Sequence, residues 1–162
     1  MILREIVAQD AAIIQSWPAY PEEFQDLDYA LREAGWISEY LRKEGARIYM
    51  AEEHGSIIGF TIISLEDAYG KSSRAEFRIA LHPHMLGQGD GKKLALMTIK
   101  KGFEELGLDR IYLIVRKSNP RARMLYQHCG FRDTIERRKE VNGVEVDFFE
   151  MELGKEDFKG WI

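Results

Sequence analysis

The sequence of 162 residues has little of several features that mark particular protein classes. Its single cysteine, Cys129, cannot form an internal disulfide, and its four histidines disfavour a multi-ligand metal site. No apolar run approaches the roughly 18 residues of a membrane span. The first residues read as a strand, whereas a signal segment is basic and then apolar. These absences predict a cytoplasmic protein that has no membrane segment and holds no metal.

An excess of basic charge is also absent. The chain has 23 basic and 27 acidic residues, and the net charge of −4 disfavours a nucleic-acid-binding protein. The charges are unevenly distributed, because residues 1–45 carry four basic and nine acidic groups, whereas residues 110–132 carry six basic groups and none acidic. This pattern indicates either two surfaces that bind ligands of opposite charge or ordinary solvated faces.

No repeat or linker divides the chain, which predicts a single domain over residues 1–162. Strand and helix periodicities alternate along it and indicate a mixed α/β fold. We predict helices from Asp10, as N-cap, to near Trp17, from Tyr29 to Lys43, from Gly91 to Leu106 and from Asn119, also as N-cap, to a stop at Gly130. We predict strands over Ile2–Val7, Ala46–Glu53, Ile57–Leu65, Arg74–Leu81, Ile111–Arg116, Phe131–Lys139 and Val144–Leu153. Hairpins are expected at His54-Gly55-Ser56 and at Asn142-Gly143.

A glycine-rich segment from Leu86 to Lys93 lies between a predicted strand and a predicted helix. Glycine permits close backbone approach, and the free amides of a helix N-terminus bind anions, so the segment predicts a phosphate site. It is not a Walker loop, because three residues separate Gly87 from Gly91 where that loop has four. Its glycine spacing also differs from the dinucleotide-binding fingerprint. A flexible turn at the helix entry is the alternative interpretation.

Several motifs occur together around this loop: His82-Pro83, GQGDG, the segment from Val115 to Ala122, Leu125-Tyr126 and Gly130-Phe131. Over residues 74–132 they resemble the acetyl-CoA-binding core of the GCN5-related N-acetyltransferase (GNAT) superfamily. The segments Arg74-Ala-Glu-Phe-Arg-Ile and Asn142-Gly-Val-Glu-Val-Asp-Phe are most similar to its branch of ribosomal-protein and spermidine N-acetyltransferases. The resemblance implies one α/β domain, with a mostly antiparallel twisted sheet of about seven strands flanked by about four helices.

The resemblance also implies where acetyl-CoA binds. The strand before the loop offers backbone groups to the pantetheine arm, and backbone amides of the loop meet the pyrophosphate. Leu86 stands where the family usually has Arg or Gln, and Asp90 is expected to point outward or to be offset by neighbouring lysines. The implied cofactor residues are Ile79, Ala80, Leu81, Leu86, Gly87, Gln88, Gly89, Asp90, Gly91, Lys92, Asn119 and Tyr126.

Two of the implied site residues carry chemistry. Tyr126 matches the family tyrosine near the thioester sulfur, where a phenol can give a proton to the departing thiolate, although a core tyrosine is the alternative. The amine must lose a proton before attack, and the strand Tyr112-Leu-Ile-Val-Arg offers no carboxylate as the base. We therefore predict Glu76 as a base acting through water, with a paired surface carboxylate as the alternative. A main-chain amide within Ile79–Leu81 is the expected oxyanion donor.

The sequence thus predicts an acetyl-CoA-dependent N-acetyltransferase without a metal. The expected acceptor is a primary amine, either a polyamine or a peptide or protein N-terminus, and a homodimer is a further expectation from the family. A non-catalytic acyl-CoA-binding module of the same fold is the alternative. An acidic cluster that could attract a cationic acceptor, or form a solvated helix face, consists of Glu22, Glu23, Asp26, Asp28 and Glu33.

Overall fold

The structure is a computed structural model that describes residues 1–70 and 72–161. Seven strands form one sheet in the order β1-β2-β3-β4-β5-β7-β6, and the pair β4 and β5 is parallel whereas the other neighbours are antiparallel. The predicted sheet is therefore confirmed. The strands are β1 (Ile2–Glu5), β2 (Ala46–Glu53), β3 (Ser56–Leu65), β4 (Arg74–Leu81), β5 (Arg110–Arg116), β6 (Arg132–Val141) and β7 (Val144–Gly154).

Both predicted hairpins form through two-residue turns whose residues have positive φ. His54 and Gly55 connect β2 to β3 at φ 52° and 81°, and Asn142 and Gly143 connect β6 to β7 at φ 52° and 82°. Turns of this kind match the right-handed twist of the strands and favour Asn-Gly. Local sequence therefore sets the register of both hairpins.

Helices cover both faces of the sheet. One core cluster packs the two helices of the N-terminal part of the chain against residues such as Met50 and Phe60, and another packs the two later helices against residues such as Phe77 and Leu113. Alternation of side chains along each strand supplies both clusters. The α-helices are α1 (Asp10–Gln15), α2 (Trp36–Leu41), α3 (Asp90–Glu104) and α4 (Pro120–Cys129), and a long 3-10 helix covers Glu22–Leu31.

The predicted continuous helix from Tyr29 to Lys43 is wrong. The chain instead leaves the 3-10 helix at Arg32, whose backbone is extended, and enters α2 after Gly35. The Arg32 guanidinium donates to Asp28 and to the carbonyls of Gln15 and Trp17, which holds this bend. A Cβ at Gly35 would lie 2.5 Å from the carbonyl oxygen of Ala30, so close backbone packing requires glycine there.

Asp10 does not cap α1 in the predicted way, because it is the first residue of the helix and Gln9 holds the cap position. Its carboxylate is 1% exposed and accepts from Arg4 Nη1 at 2.8 Å, Arg4 Nη2 at 2.9 Å and the Val7 amide at 2.7 Å. The hydrogen bond from Arg4 lowers the pKa of this carboxyl. Asp10 therefore ties β1 to α1 through a partly buried ion pair.

Candidate functional site

The sheet opens between its two parallel strands. Strands β4 and β5 pair only from Arg74 with Arg110 to Glu76 with Tyr112, and their remaining residues diverge. The opening is a cleft of about 500 Å³, a volume typical of small-molecule and cofactor sites. The β4 residues Ile79, Ala80 and Leu81 line it, as the resemblance implied.

The glycine loop forms one end of the cleft. Gly87 and Gly89 have φ of 76° and 87°, in the left-handed region that glycine adopts without strain. They turn the chain so that α3 begins at Asp90, with its free N-terminal amides beside the cleft. Leu86, Gly87, Gly89, Gly91 and Lys92 line the cleft.

Gln88 and Asp90 are the two loop residues that do not line the cleft. The Gln88 side chain donates to the carbonyl of His84 at 2.9 Å, so it stabilises the turn before the loop. Asp90 is half-buried in the first turn of α3. Neither side chain therefore contributes to the cleft lining at the loop.

Basic side chains lie beside the loop. Arg121, from the first turn of α4, lies directly over Gly87, since a Cβ at Gly87 would be 2.5 Å from its Nη2. Lys92 lines the same end of the cleft. Glycine amides, a helix N-terminus and two cations together suit a phosphorylated ligand with a long arm, so the residues present fit a coenzyme A thioester.

Asn119 caps α4 at the point where the helix meets the cleft. Its side chain accepts from the Ala122 amide at 3.1 Å, which caps the helix, and Pro120 follows in the first helical position. Asn119 also lines the cleft. The predicted cap is confirmed, and a contact with the cofactor is compatible with it.

Tyr126 lies about two turns after Asn119 on α4 and lines the cleft between two aromatic rings. Its ring centroid is 6.4 Å from Phe77 and 6.1 Å from Phe131, both in edge geometry. Burial raises the pKa of its phenol. In the described part of the chain the hydroxyl makes no hydrogen bond, so the phenol of this cleft-lining residue is free to donate.

Glu76 does not line the cleft. Its Oε1 accepts from the Tyr40 hydroxyl at 3.1 Å and from Arg78 Nε at 3.2 Å, and its Oε2 faces Arg78 Nη2 at 3.5 Å. Both carboxylate oxygens of Glu76 thus face Arg78, and one of them also accepts from Tyr40. This geometry matches the alternative of a paired carboxylate and disfavours direct removal of a proton from a ligand.

The other end of the cleft was not predicted from the sequence. It is lined by residues of the 3-10 helix, of α2 and of the β6–β7 hairpin, segments far apart along the chain. No local pattern places them together, although the aromatic residues of the 3-10 segment are a weak signal of an apolar surface. They include Leu27, Tyr29, Trp36, Glu39, Lys139, Glu140, Val141 and Phe148.

The acidic cluster is partly neutralised by arginines. Asp26 pairs with Arg116 at 3.2 Å, and Asp28 pairs with Arg32 at 2.7 Å. The remaining members, Glu22, Glu23 and Glu33, are exposed and do not line the cleft. The structure therefore favours a solvated face over an acidic acceptor site.

Other reactive side chains lie outside the cleft lining. Burial raises the pKa of the Cys129 thiol to about 11, which disfavours a thiolate nucleophile. His82 accepts the His84 amide on Nδ1 at 3.0 Å and so caps a short turn. Over residues 1–70 and 72–161, no group of three or more His, Cys, Asp or Glu side chains could hold a metal ion.

Comparison with known proteins agrees with this geometry. The model of the acetyltransferase (GNAT) family matches residues 11–131. The chain belongs to this family. Within the described residues, the structure has no helix that is long and apolar enough to cross a membrane.

The matched relatives include spermidine N(1)-acetyltransferases. The protein from Escherichia coli K12 is 28% identical over 123 residues, which cover 75% of this chain and 62% of that protein. The Vibrio cholerae protein is 40% identical over 57 residues, 35% of this chain and 33% of that protein. The chain thus aligns with less than two thirds of the length of these relatives.

Solved structures share the fold of this GNAT protein. The spermidine N-acetyltransferase from Vibrio cholerae in complex with CoA and spermine has a TM-score of 0.77 and 22% identity, covering 96% of both chains. A dodecameric structure of the Vibrio cholerae enzyme has a TM-score of 0.72 and 24% identity, covering 95% of this chain and 93% of that one.

Proposed function

We propose that residues 1–162 form a single acetyltransferase domain, which transfers an acetyl group from acetyl-CoA to a primary amine in the β4–β5 cleft. The observation that carries the proposal is the placement of Tyr126, a partly buried tyrosine with a raised pKa, in the same cleft as the glycine loop. Family membership and relatives that act on spermidine support the reaction class.

In this proposal the cofactor end holds acetyl-CoA without a metal. Amides of residues 86–91, Lys92 and Arg121 bind the phosphates, and Asn119 and Ile79–Leu81 hold the arm. When bound, acetyl-CoA supplies an activated thioester. A main-chain amide within Ile79–Leu81 stabilises the negative charge that develops on the acyl oxygen.

Tyr126 acts as the general acid. As the C–N bond forms and the C–S bond breaks, its hydroxyl gives a proton to the leaving sulfur. Burial keeps the phenol protonated until this step. The amine loses its own proton to water in the open cleft, and Glu76 acts as a positioning residue that holds Arg78.

The acceptor is a primary amine, for which a polyamine and a peptide N-terminus are the two candidate classes. The spermidine acetyltransferases among the relatives support the polyamine. The neutralised acidic cluster gives it no further support, because Asp26 and Asp28 are paired with arginines. We also propose self-association, supported by the dodecameric relative and testable by light scattering.

The decisive experiment measures thiol release from acetyl-CoA with a panel of amines and identifies the acetylated product by mass spectrometry. Equal amounts of free CoA and acetylated amine are expected. Acetyl-CoA binding without thiol release across the whole panel would instead favour the non-catalytic acyl-CoA-binding module.

A further inference from the structure

We call the end of the cleft that is lined by α2 and the β6–β7 hairpin the acceptor end. Arg78 lies there and is enclosed by groups that recognise cations. Its side chain is 19% exposed and pairs with the Glu76 carboxylate, which is 12% exposed. The guanidinium carbon lies 5.0 Å from the ring centroid of Trp36 and 5.3 Å from that of Tyr40. A carboxylate with two aromatic rings is an arrangement that binds ammonium groups. Here the chain's own cation occupies it.

We propose that Arg78 sets acceptor specificity by filling this cation site, so that the cleft takes the N-terminal amine of a peptide and rejects polyamines. The inference rests on the proposed acetyl transfer and names its substrate class. A polyamine carries further ammonium groups beyond the reacting amine. Because Arg78 holds Glu76 and the two rings, those ammonium groups meet a guanidinium where they need a partner.

The charge balance of the cleft agrees with this rejection. Five basic residues line the cleft, and two of them, Lys92 and Arg121, lie at the phosphate end. The acidic residues that line it are Glu39 and Glu140. Arg116 lines the acceptor end and is already paired with Asp26. The acceptor end therefore has no excess of negative charge with which to hold a polycation.

The remaining donor groups of Arg78 suit an acceptor with a carbonyl oxygen. Nε and Nη2 face Glu76, and Nη1 makes no hydrogen bond to any residue that the structure describes. A peptide N-terminus carries a carbonyl oxygen close to its amine. Since Arg78 lines the cleft, Nη1 can donate to that oxygen and orient the amine.

The proton balance also favours a peptide amine. Strands β4 and β5 carry one carboxylate between them, Glu76, and it is engaged by Arg78 and Tyr40. An α-amine has a pKa of about 8 and an alkylamine a pKa of about 10.4, so at pH 8 the neutral fraction of the α-amine is greater by about a hundredfold. If water takes the proton, as in the proposed reaction, the cleft therefore works best on the α-amine.

The test compares kcat/KM at pH 8 for a neutral tripeptide amide, butylamine, 1,4-diaminobutane and spermidine. Butylamine and diaminobutane differ in the second ammonium alone. In the wild type we expect the tripeptide to lead and diaminobutane to fall at least about tenfold below butylamine, the cost of one unfavourable charge contact of about 1.4 kcal/mol. Spermidine should behave like diaminobutane.

Arg78→Gln should free the cation site for a second ammonium. We expect kcat/KM to rise about tenfold for diaminobutane and spermidine and to fall about tenfold for the tripeptide, mainly through KM. A gain on one substrate with a loss on another is a result that general damage to the fold does not produce. Arg47→Gln is the matched control, because it removes one positive charge at the exposed pair with Glu5. It should leave kcat/KM for diaminobutane, spermidine and the tripeptide, each relative to butylamine, unchanged.

A wild type that prefers spermidine to the tripeptide overturns the inference, whether or not any variant folds. Unchanged substrate ratios in a folded Arg78→Gln also overturn it. If that variant does not fold, Arg78→Lys keeps the charge and should still reject diaminobutane while losing activity on the tripeptide. Absence of thiol release with every amine, with acetyl-CoA bound, is a different result and counts against the proposed function itself.

Discussion

Glu76 of β4 and Tyr112 of β5 are the last residue pair at which the two parallel strands lie side by side in the sheet. Beyond this pair, the backbone groups of Phe77–Leu81 that face β5 are left for a ligand, because β3 pairs only with the opposite edge of β4. The glycine loop and Tyr126 both border this opening. One break in strand pairing thus opens a cleft that the glycine loop and Tyr126 both line.

Gly87→Ala tests the contact between the loop and the cofactor. The new Cβ would lie 2.5 Å from Arg121 Nη2, and φ of 76° would become strained. We expect about tenfold weaker acetyl-CoA binding by isothermal titration calorimetry, with about 1–2 kcal/mol of backbone strain. Gly55→Ala is the matched control, because its φ is 81° and nothing lies within 4 Å of the added Cβ. An equal loss of acetyl-CoA affinity in both variants contradicts the placement of the cofactor at the glycine loop.

Arg121→Gln tests the electrostatic contribution to cofactor binding. Because Arg121 lies over the loop, its loss should weaken binding of acetyl-CoA and of free CoA alike, about fivefold at low ionic strength. The difference from the wild type should shrink as salt screens the charges. Arg132→Gln removes an exposed charge from the same basic segment and should have little effect. A loss of affinity for acetyl-CoA that does not depend on salt is the contrary result.

The pH dependence of kcat/KM tests the absence of an enzymic base. For a tripeptide amide we expect a rise with unit slope that levels near the amine's own pKa of about 8. Burial raises the pKa of Tyr126 above its ordinary value of about 10, so the acid stays protonated and no alkaline loss appears up to pH 9.5. A slope of two below pH 7, or a decline above pH 8, contradicts this account.

Asp10→Asn tests the partly buried ion pair between β1 and α1. The hydrogen bond from Arg4 lowers the pKa of Asp10 in the folded state. Its stabilisation is therefore present above the unfolded value of about 3.9 and is lost as pH falls through the folded value. Urea unfolding at pH 7 should show a loss of about 2 kcal/mol, which diminishes at pH 3. Asp147→Asn, which breaks an exposed pair with Arg138, should change stability little.

Local signals in the sequence predicted most of the fold. The strand Arg74–Leu81 has the predicted bounds, and the cap at Asn119, the stop at Gly130 and the turn at Asn142-Gly143 all form as expected. Each depends on a residue type that suits one backbone conformation. The bend after Leu31 was not predicted, because it depends on hydrogen bonds from Arg32 to the carbonyl groups of Gln15 and Trp17. The spacing of residues within the helix does not reveal these contacts.

The cofactor end of the site was also accessible from the sequence, since the glycine loop and α4 are contiguous motifs. The acceptor end was not, because the 3-10 helix, α2 and the β6–β7 hairpin meet there only in the folded chain. The role of Glu76 could not be predicted from the local sequence for the same reason. Its residue type suits a base, but Arg78 and Tyr40, one of them 36 residues away, occupy its oxygens.

Tyr126→Phe tests the central claim most directly, by single-turnover release of free CoA with saturating acetyl-CoA and amine. The ring contacts with Phe77 and Phe131 are kept, whereas the proton donor is removed. We expect unchanged acetyl-CoA affinity and a rate lower by about 10²-fold or more. Tyr49→Phe, at a buried tyrosine on β2, should leave the rate unchanged. A Tyr126→Phe variant that releases CoA at the wild-type rate contradicts the account.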